Sequence, residues 1–133
     1  MVDTGSWYAI CDFRDPYHDA AATTFTAFEH LGIILPWPCL YETLRTSFVE
    51  NRGAMQRFSA IARLPNVEHL DDGPYRDAAY EQTLTTARTR PLSLVDMVMR
   101  LMLEDVNVRV NGLLTFNAKD FYEVCRKRRL ELL

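Results

Sequence analysis

Gly32-Ile33-Ile34-Leu35-Pro36-Trp37-Pro38 (residues 32–38) decides how the rest of the chain reads. Gly32 ends the amphipathic stretch before it, three consecutive apolar residues make a short buried strand, and Pro36 closes that strand. Pro38 then suits the first turn of a new helix, where its missing N–H does no harm. A strand that leaves one helix and feeds another is the repeating unit of an α/β protein. Toward the N-terminus, Ala21, Phe25, Phe28 and Leu31 recur at helical spacing between His18 and Leu31, and Met1-Val2 leads into Asp3-Thr4-Gly5.

Toward the C-terminus the alternation continues. Leu40, Leu44 and Phe48 share one face of a helix that Asn51-Arg52-Gly53 ends, and Met55, Phe58 and Ile61 mark another that Pro65 terminates. Asn66 to Leu70 reads as a strand, and Pro74 to Arg90 as a mostly polar helix with Tyr80, Leu84 and Ala87 on one side. Leu94 to about Val106 is apolar around most of its circumference, as in a helix buried on several sides. Gly112-Leu113-Leu114-Thr115 is a further strand, Asn117 to Arg128 an amphipathic helix, and Leu130 to Leu133 a terminal strand. Strands alternating with helices imply right-handed crossovers and a parallel sheet between helical layers. In such sheets the site lies beyond the carboxyl ends of the strands.

Composition narrows the function. A chain of 133 residues makes one domain, and 48% hydrophobic with 25% charged residues is a globular composition. Neither an apolar run long enough to span a bilayer nor a secretory leader is read, and Cys11, Cys39 and Cys125 have no disulfide or zinc spacing. A reducing cytoplasm is therefore expected. With 15 basic and 18 acidic residues the net charge is −3, unlike a protein that coats duplex nucleic acid. The run Arg126-Lys127-Arg128-Arg129 reads first as a solvated helix end that offsets the helix dipole.

Acidic residues gather at the predicted strand ends. Asp3 follows the first strand, Glu42 lies near the start of the helix after the second, Asp96 opens the apolar helix, and Asn117 and Asp120 follow the fourth strand. Each has an ordinary reading. Asp3 caps a helix, Glu42 favours a helix dipole, Ser93 to Asp96 forms a capping box, and Asp96, Arg100 and Glu104 make an ion-pair stripe. Their convergence on one end of one sheet is the less ordinary feature. Two carboxylates about 4 Å apart repel by about 4 kcal/mol at an effective dielectric near 20. A hard divalent cation relieves that repulsion, and Mg²⁺ and Mn²⁺ prefer such oxygens. An ion there activates water and neutralises charge on a phosphodiester.

Four segments together resemble the PIN-domain family of the VapC-like type: Val2-Asp3-Thr4-Gly5-Ser6-Trp7-Tyr8-Ala9, Leu40-Tyr41-Glu42-Thr43-Leu44, Leu92-Ser93-Leu94-Val95-Asp96 and Thr115-Phe116-Asn117-Ala118-Lys119-Asp120-Phe121. The turn Asp15-Pro16-Tyr17-His18 is also similar. The resemblance implies a three-layer α/β/α sandwich around a mostly parallel five-stranded sheet, in a metal-dependent ribonuclease. It implies Asp3, Glu42 and Asp96 as ligands of Mg²⁺ or Mn²⁺, with Thr4 and Ser93 as hydroxyls beside the metal. Asn117 stands in the slot that often carries a fourth acid, so a second metal is in question, with Asp120 one turn further on as an accessory. Arg100, one turn after Asp96, is placed to pair with it and oppose a cation. The first strand, with two residues before Asp3, is either short or begins upstream of Met1. VapC-like members are toxins held by a VapB-like antitoxin and are commonly homodimers. The apolar side of the helices from Pro38 to Leu64 is then a groove for the antitoxin, with Arg45, Arg52 and Arg57 placed to contact RNA or that partner.

Two other functions remain open. A non-catalytic PIN-like module binding RNA or a partner protein is compatible with Asn117. A receiver-like phosphoacceptor fits poorly, because Thr4-Gly5 follows Asp3 where that fold needs paired acids. His18, His30 and His69 lack zinc-hydrolase spacing, and Gly-rich phosphate loops and Gly-x-Ser-x-Gly do not occur. Trp7, Tyr8, Phe13 and Trp37 lie near the site in sequence, and core packing is the more ordinary role for them than base stacking.

Overall fold

The computed structural model describes residues 1–85 and 91–133. Asp3 caps the first helix, Thr4–Cys11 (α1), and a turn at Asp12–Tyr17 leads to His18–Phe28 (α2). Ile33–Pro36 (β1) runs directly into Trp37–Thr43 (α3), with proline in the first helical turn as its missing N–H favours. A one-turn helix Thr46–Val49 (α4), the helix Arg52–Ala62 (α5) and the strand Val67–Leu70 (β2) follow. Gly73–Thr85 (α6), Leu94–Glu104 (α7), Gly112–Leu113 (β3), Ala118–Arg128 (α8) and Glu131–Leu132 (β4) complete the described elements.

The five-stranded central sheet expected from the sequence is not what forms. The protein is a mixed α/β structure with eight described helices and two separate two-stranded parallel sheets, β1–β2 and β3–β4. Ile33 aligns with Val67 in the first sheet and Gly112 with Glu131 in the second. Met1-Val2 lies between them without forming a strand. The Val2 N–H donates to Ile34 O at 3.2 Å, and a single parallel bridge pairs Val2 with Leu114. The reason is local. α1 begins at Thr4, so the chain turns helical before it can add the repeated pairs that make a ladder. At Gly112 a Cβ would stand 3.1 Å from the Glu131 carbonyl oxygen, so glycine is what lets β3 and β4 approach.

The helix read across residues 38–52 breaks at Leu44 and Arg45. Arg45 is extended, α4 starts afresh, and Leu44 is exposed while Leu40 and Phe48 stay buried. The polar helix is recovered as Gly73–Thr85, but Ala79 carries its buried face and Tyr80 and Leu84 are exposed; residues 86–90, with Ala87, lie outside the described residues. The expectation for α7 holds, since Met97, Val98, Met99, Met102 and Leu103 are all buried. It stops at Glu104, leaving Val106 exposed.

The helices pack in two groups, α1 with α2, α3 and α5, and α7 with α6, α8 and α3, so α3 joins the groups. Trp7, fully buried, anchors the first, with Phe58 edge-on at 5.4 Å and Phe25 tilted at 6.0 Å. The basic end of α8 braces the second. Arg128 Nη1 donates to the Leu103 and Asp105 carbonyls at the end of α7, 2.7 and 2.5 Å away, satisfying acceptors that a helix end leaves open. Among the described residues no helix is long and apolar enough to cross a membrane.

Candidate functional site

Three chain turns deliver acidic side chains to one open cleft of about 470 Å³, lined by Asp3, Thr4, Gly5, Tyr8, Glu42, Arg45, Ser93 and Asp96. Asp3 arrives as the cap of α1, Asp96 in the first turn of α7, and Glu42 in the last turn of the short helix α3 rather than near its start as the sequence suggested, so the helix dipole does not favour it there. These residues are remote in sequence, and six of those singled out there (Asp3, Thr4, Glu42, Arg45, Ser93 and Asp96) stand together here. A Cβ at Gly5 would meet nothing within 4 Å, so the cleft is open at that point.

Each carboxylate holds a hydroxyl. Thr4 N–H donates to Asp3 Oδ1 at 2.7 Å and Thr115 Oγ1 donates to Asp3 Oδ2 at 2.8 Å. Thr4 Oγ1 donates to Glu42 Oε2 at 2.8 Å, and Ser93 Oγ donates to Asp96 Oδ2 at 2.8 Å while accepting from the Asp96 N–H at 3.0 Å. The capping roles of Asp3 and Ser93 are thus real, and they coexist with convergence on the cleft. Burial raises the Asp3 pKa above the usual carboxylate value, the charges of Asp96 and Glu42 raise it further, and the bonds from Thr115 and Thr4 oppose the rise. Burial likewise pushes up the Cys39 thiol, which lies on α3 and donates to Met99 Sδ at 3.3 Å.

Asn117 and Asp120 stand apart from the cleft lining. Asn117 Nδ2 donates to Asp120 Oδ2, and the Asn117 N–H donates to Thr115 Oγ1 at 2.9 Å, so Asn117 reaches Asp3 through one hydroxyl. Arg100 turns away from its predicted pairing with Asp96. Its guanidinium meets Glu123 at 2.6 Å, Glu104 at 3.4 Å and the Asp120 carbonyl at 3.2 Å. Arg52 opens α5 outside the cleft, and Arg57 donates to the Cys11 carbonyl at 2.5 Å with its guanidinium 3.7 Å from the Phe13 ring centre.

Two members of the site hold it in ways the sequence reading did not give, since Thr115 had no role there and Tyr8 was weighed only between core packing and base stacking. Thr115 holds Asp3, and Tyr8 donates to the Glu42 carbonyl at 2.7 Å under the Arg45 guanidinium, 5.1 Å from its ring centre. A signal for Thr115 existed, a hydroxyl at a strand end two positions before Asn117. Nothing local separates Tyr8 from a core aromatic, because its partners come from α3 and Arg45.

The donor set, three carboxylates with hydroxyls and no nitrogen or sulfur, suits a hard cation such as Mg²⁺ or Mn²⁺. As they stand, each carboxylate is turned to a hydroxyl, and among the described residues no group of three or more His, Cys, Asp or Glu side chains is close enough to hold an ion. No family model, curated protein or solved structure matches this chain. The PIN-domain resemblance rests on the four sequence segments.

Proposed function

We propose that the protein is a metal-dependent ribonuclease hydrolysing RNA phosphodiester bonds, with Asp3, Glu42 and Asp96 as ligands of Mg²⁺ or Mn²⁺. One observation carries the reading: these three acids, remote in sequence, line one open cleft with Thr4 and Ser93. An ion held by them would supply charge neutralisation at the phosphodiester and a more acidic bound water. The chain's own groups supply the rest. Thr4 and Ser93 orient Glu42 and Asp96 through their hydroxyls, Thr115 fixes Asp3, and Arg45 at the cleft offers a cation to the RNA backbone. Asn117, bonded to Thr115, holds that hydroxyl in place.

The same reading makes the protein the toxin of a VapBC-type pair. An apolar groove of about 500 Å³ between α3 and α5, lined by Trp37, Leu40, Tyr41, Leu44, Met55 and Phe58 among others, supports an antitoxin segment as its occupant. Tyr41 and Leu44 line the groove while Glu42 and Arg45 line the cleft, so a segment bound in the groove would lie beside the site. Homodimerisation is proposed on the resemblance alone.

The alternative is a non-catalytic module that binds RNA or a partner protein. It is favoured by the hydroxyl partners of the three carboxylates and by the neutral Asn117. Cleavage of a mixed RNA pool by purified protein with Mn²⁺, with Mg²⁺ and with EDTA separates the two readings, with Asp96→Asn alongside. Metal-dependent cutting that the variant loses by at least about 100-fold is expected. Equal cutting by both proteins, or none by folded wild type, overturns the ribonuclease reading.

A further inference from the structure

The loop that supplies Thr115 to Asp3 also puts a large aromatic on the surface. Phe116 is 45% exposed and stacks on Tyr17, 57% exposed, with ring centres 4.8 Å apart and an interplanar angle of 29°. The two rings come from different parts of the chain, Tyr17 from the turn before α2 and Phe116 from the connection between β3 and α8. Burial explains neither, since both keep about half of their surface in water. Next to Tyr17, His18 meets the exposed Phe13 edge-on at 4.7 Å, and the Arg57 guanidinium lies 3.7 Å from the Phe13 ring centre. Lys119 is exposed in the first turn of α8, three residues after Phe116. The surface therefore offers a stacked pair of exposed rings next to the residue that holds Asp3, with an exposed lysine close by in the chain.

We infer that the Tyr17–Phe116 pair is a base-stacking platform for single-stranded RNA whose backbone enters the carboxylate cleft. Unpaired bases present flat π-faces that extend an aromatic stack, and Lys119, exposed three residues after Phe116, is a cation for the phosphates between them. Duplex RNA keeps its bases stacked internally and would gain nothing here. This inference rests on the ribonuclease reading for the identity of the ligand, but stacking is measurable without cleavage. It makes Tyr17 and Phe116 substrate-binding residues, with Thr115, next to Phe116 in the chain and hydrogen-bonded to Asp3, connecting the platform to the acid site.

The test is the affinity of a mixed-sequence 12-nucleotide single-stranded RNA, labelled at one end, measured by fluorescence anisotropy in EDTA. Phe116→Leu keeps an apolar side chain and removes the flat ring, and Tyr17→Leu does the same on the other side of the stack. Each is expected to weaken binding by roughly 5- to 150-fold, while Phe116→Tyr binds within about twofold of wild type. A set of RNAs each carrying one abasic nucleotide adds a second readout. One abasic position should cost wild type a similar factor and cost Phe116→Leu nothing more.

Wild-type affinity in both leucine variants overturns the platform, as does an abasic penalty that is the same in wild type and Phe116→Leu. Absence of RNA binding by folded wild type overturns it too. Cleavage in Mn²⁺ is scored separately. Metal-dependent cutting with no dependence of binding on Phe116 sinks the platform and leaves the ribonuclease standing. Phe116-dependent binding without cutting does the reverse.

Discussion

Asp12 ends α1 and accepts four hydrogen bonds, from Arg14 and Asn51. It accepts from the Arg14 N–H at 3.1 Å, from Arg14 Nε at 3.0 Å and Nη2 at 2.9 Å, and from Asn51 Nδ2 at 2.8 Å. Asn51 in turn caps α5 through the Ala54 N–H, so one carboxylate fastens the end of α1 to the start of α5. The Arg14 side chain and N–H hold its pKa down at about 2. A depressed carboxylate pKa means stability that is present above the unfolded value near 3.9 and is lost as pH falls toward about 2. Asp12→Asn is expected to lower Tm by a few degrees at neutral pH, with the gap to wild type narrowing between about pH 4 and pH 2. Thermal melts across that range decide it, and a gap that stays constant would show that the charge contributes nothing. Because the pair is largely in water, the effect should also shrink in high salt.

At the scale of elements, α8 ends on the only described non-glycine residue with positive φ, Arg129 at φ 57° and ψ 39°. The left-handed turn lets the Leu130 N–H donate to the Cys125 carbonyl at 2.8 Å, closing the helix and turning the chain into β4. Arg129→Gly removes the side-chain penalty and is expected to stabilise the protein by about 0.5–1 kcal/mol, read as a rise in the urea midpoint. An unchanged or lower midpoint would mean the arginine contributes contacts that outweigh the strain. Ends and breaks of this kind were the least legible part of the sequence. Leu40, Leu44 and Phe48 keep helical spacing straight across the break at Arg45, because periodicity records only which residues want burial. Strong signals did carry through. Gly32 and Pro36 bracket β1, and the apolar run after Ser93 became the buried α7.

Across the whole molecule, the sequence was a better guide to the cleft than to the sheets. Asp3 and Asp96 were legible because each sits at a helix start, a position that survives changes in strand pairing, whereas Glu42 reaches the cleft from the last turn of α3. The sheets were not legible, since pairing depends on how many residues can lie alongside, and Met1-Val2 bridges only at one point before α1 begins. The arrangement that results has a thermodynamic consequence. Burial, and after it the neighbouring charges of Asp96 and Glu42, disfavour ionised Asp3, so a cation in the cleft would favour its ionised form. A cation bound to the folded state alone stabilises it by mass action, about 2.7 kcal/mol at a concentration 100 times its Kd. Mn²⁺ is therefore expected to raise the Tm of wild type by several degrees in a concentration-dependent way, and to have little effect on Asp96→Asn. The variant without metal should be at least as stable as wild type, since it removes one of the repelling charges while its amide oxygen still accepts from Ser93. Differential scanning fluorimetry over a Mn²⁺ series, with Ca²⁺ and an equal ionic strength of NaCl as comparisons, gives the answer. Equal shifts in wild type and Asp96→Asn would assign the stabilisation to general screening and remove the cation from the cleft.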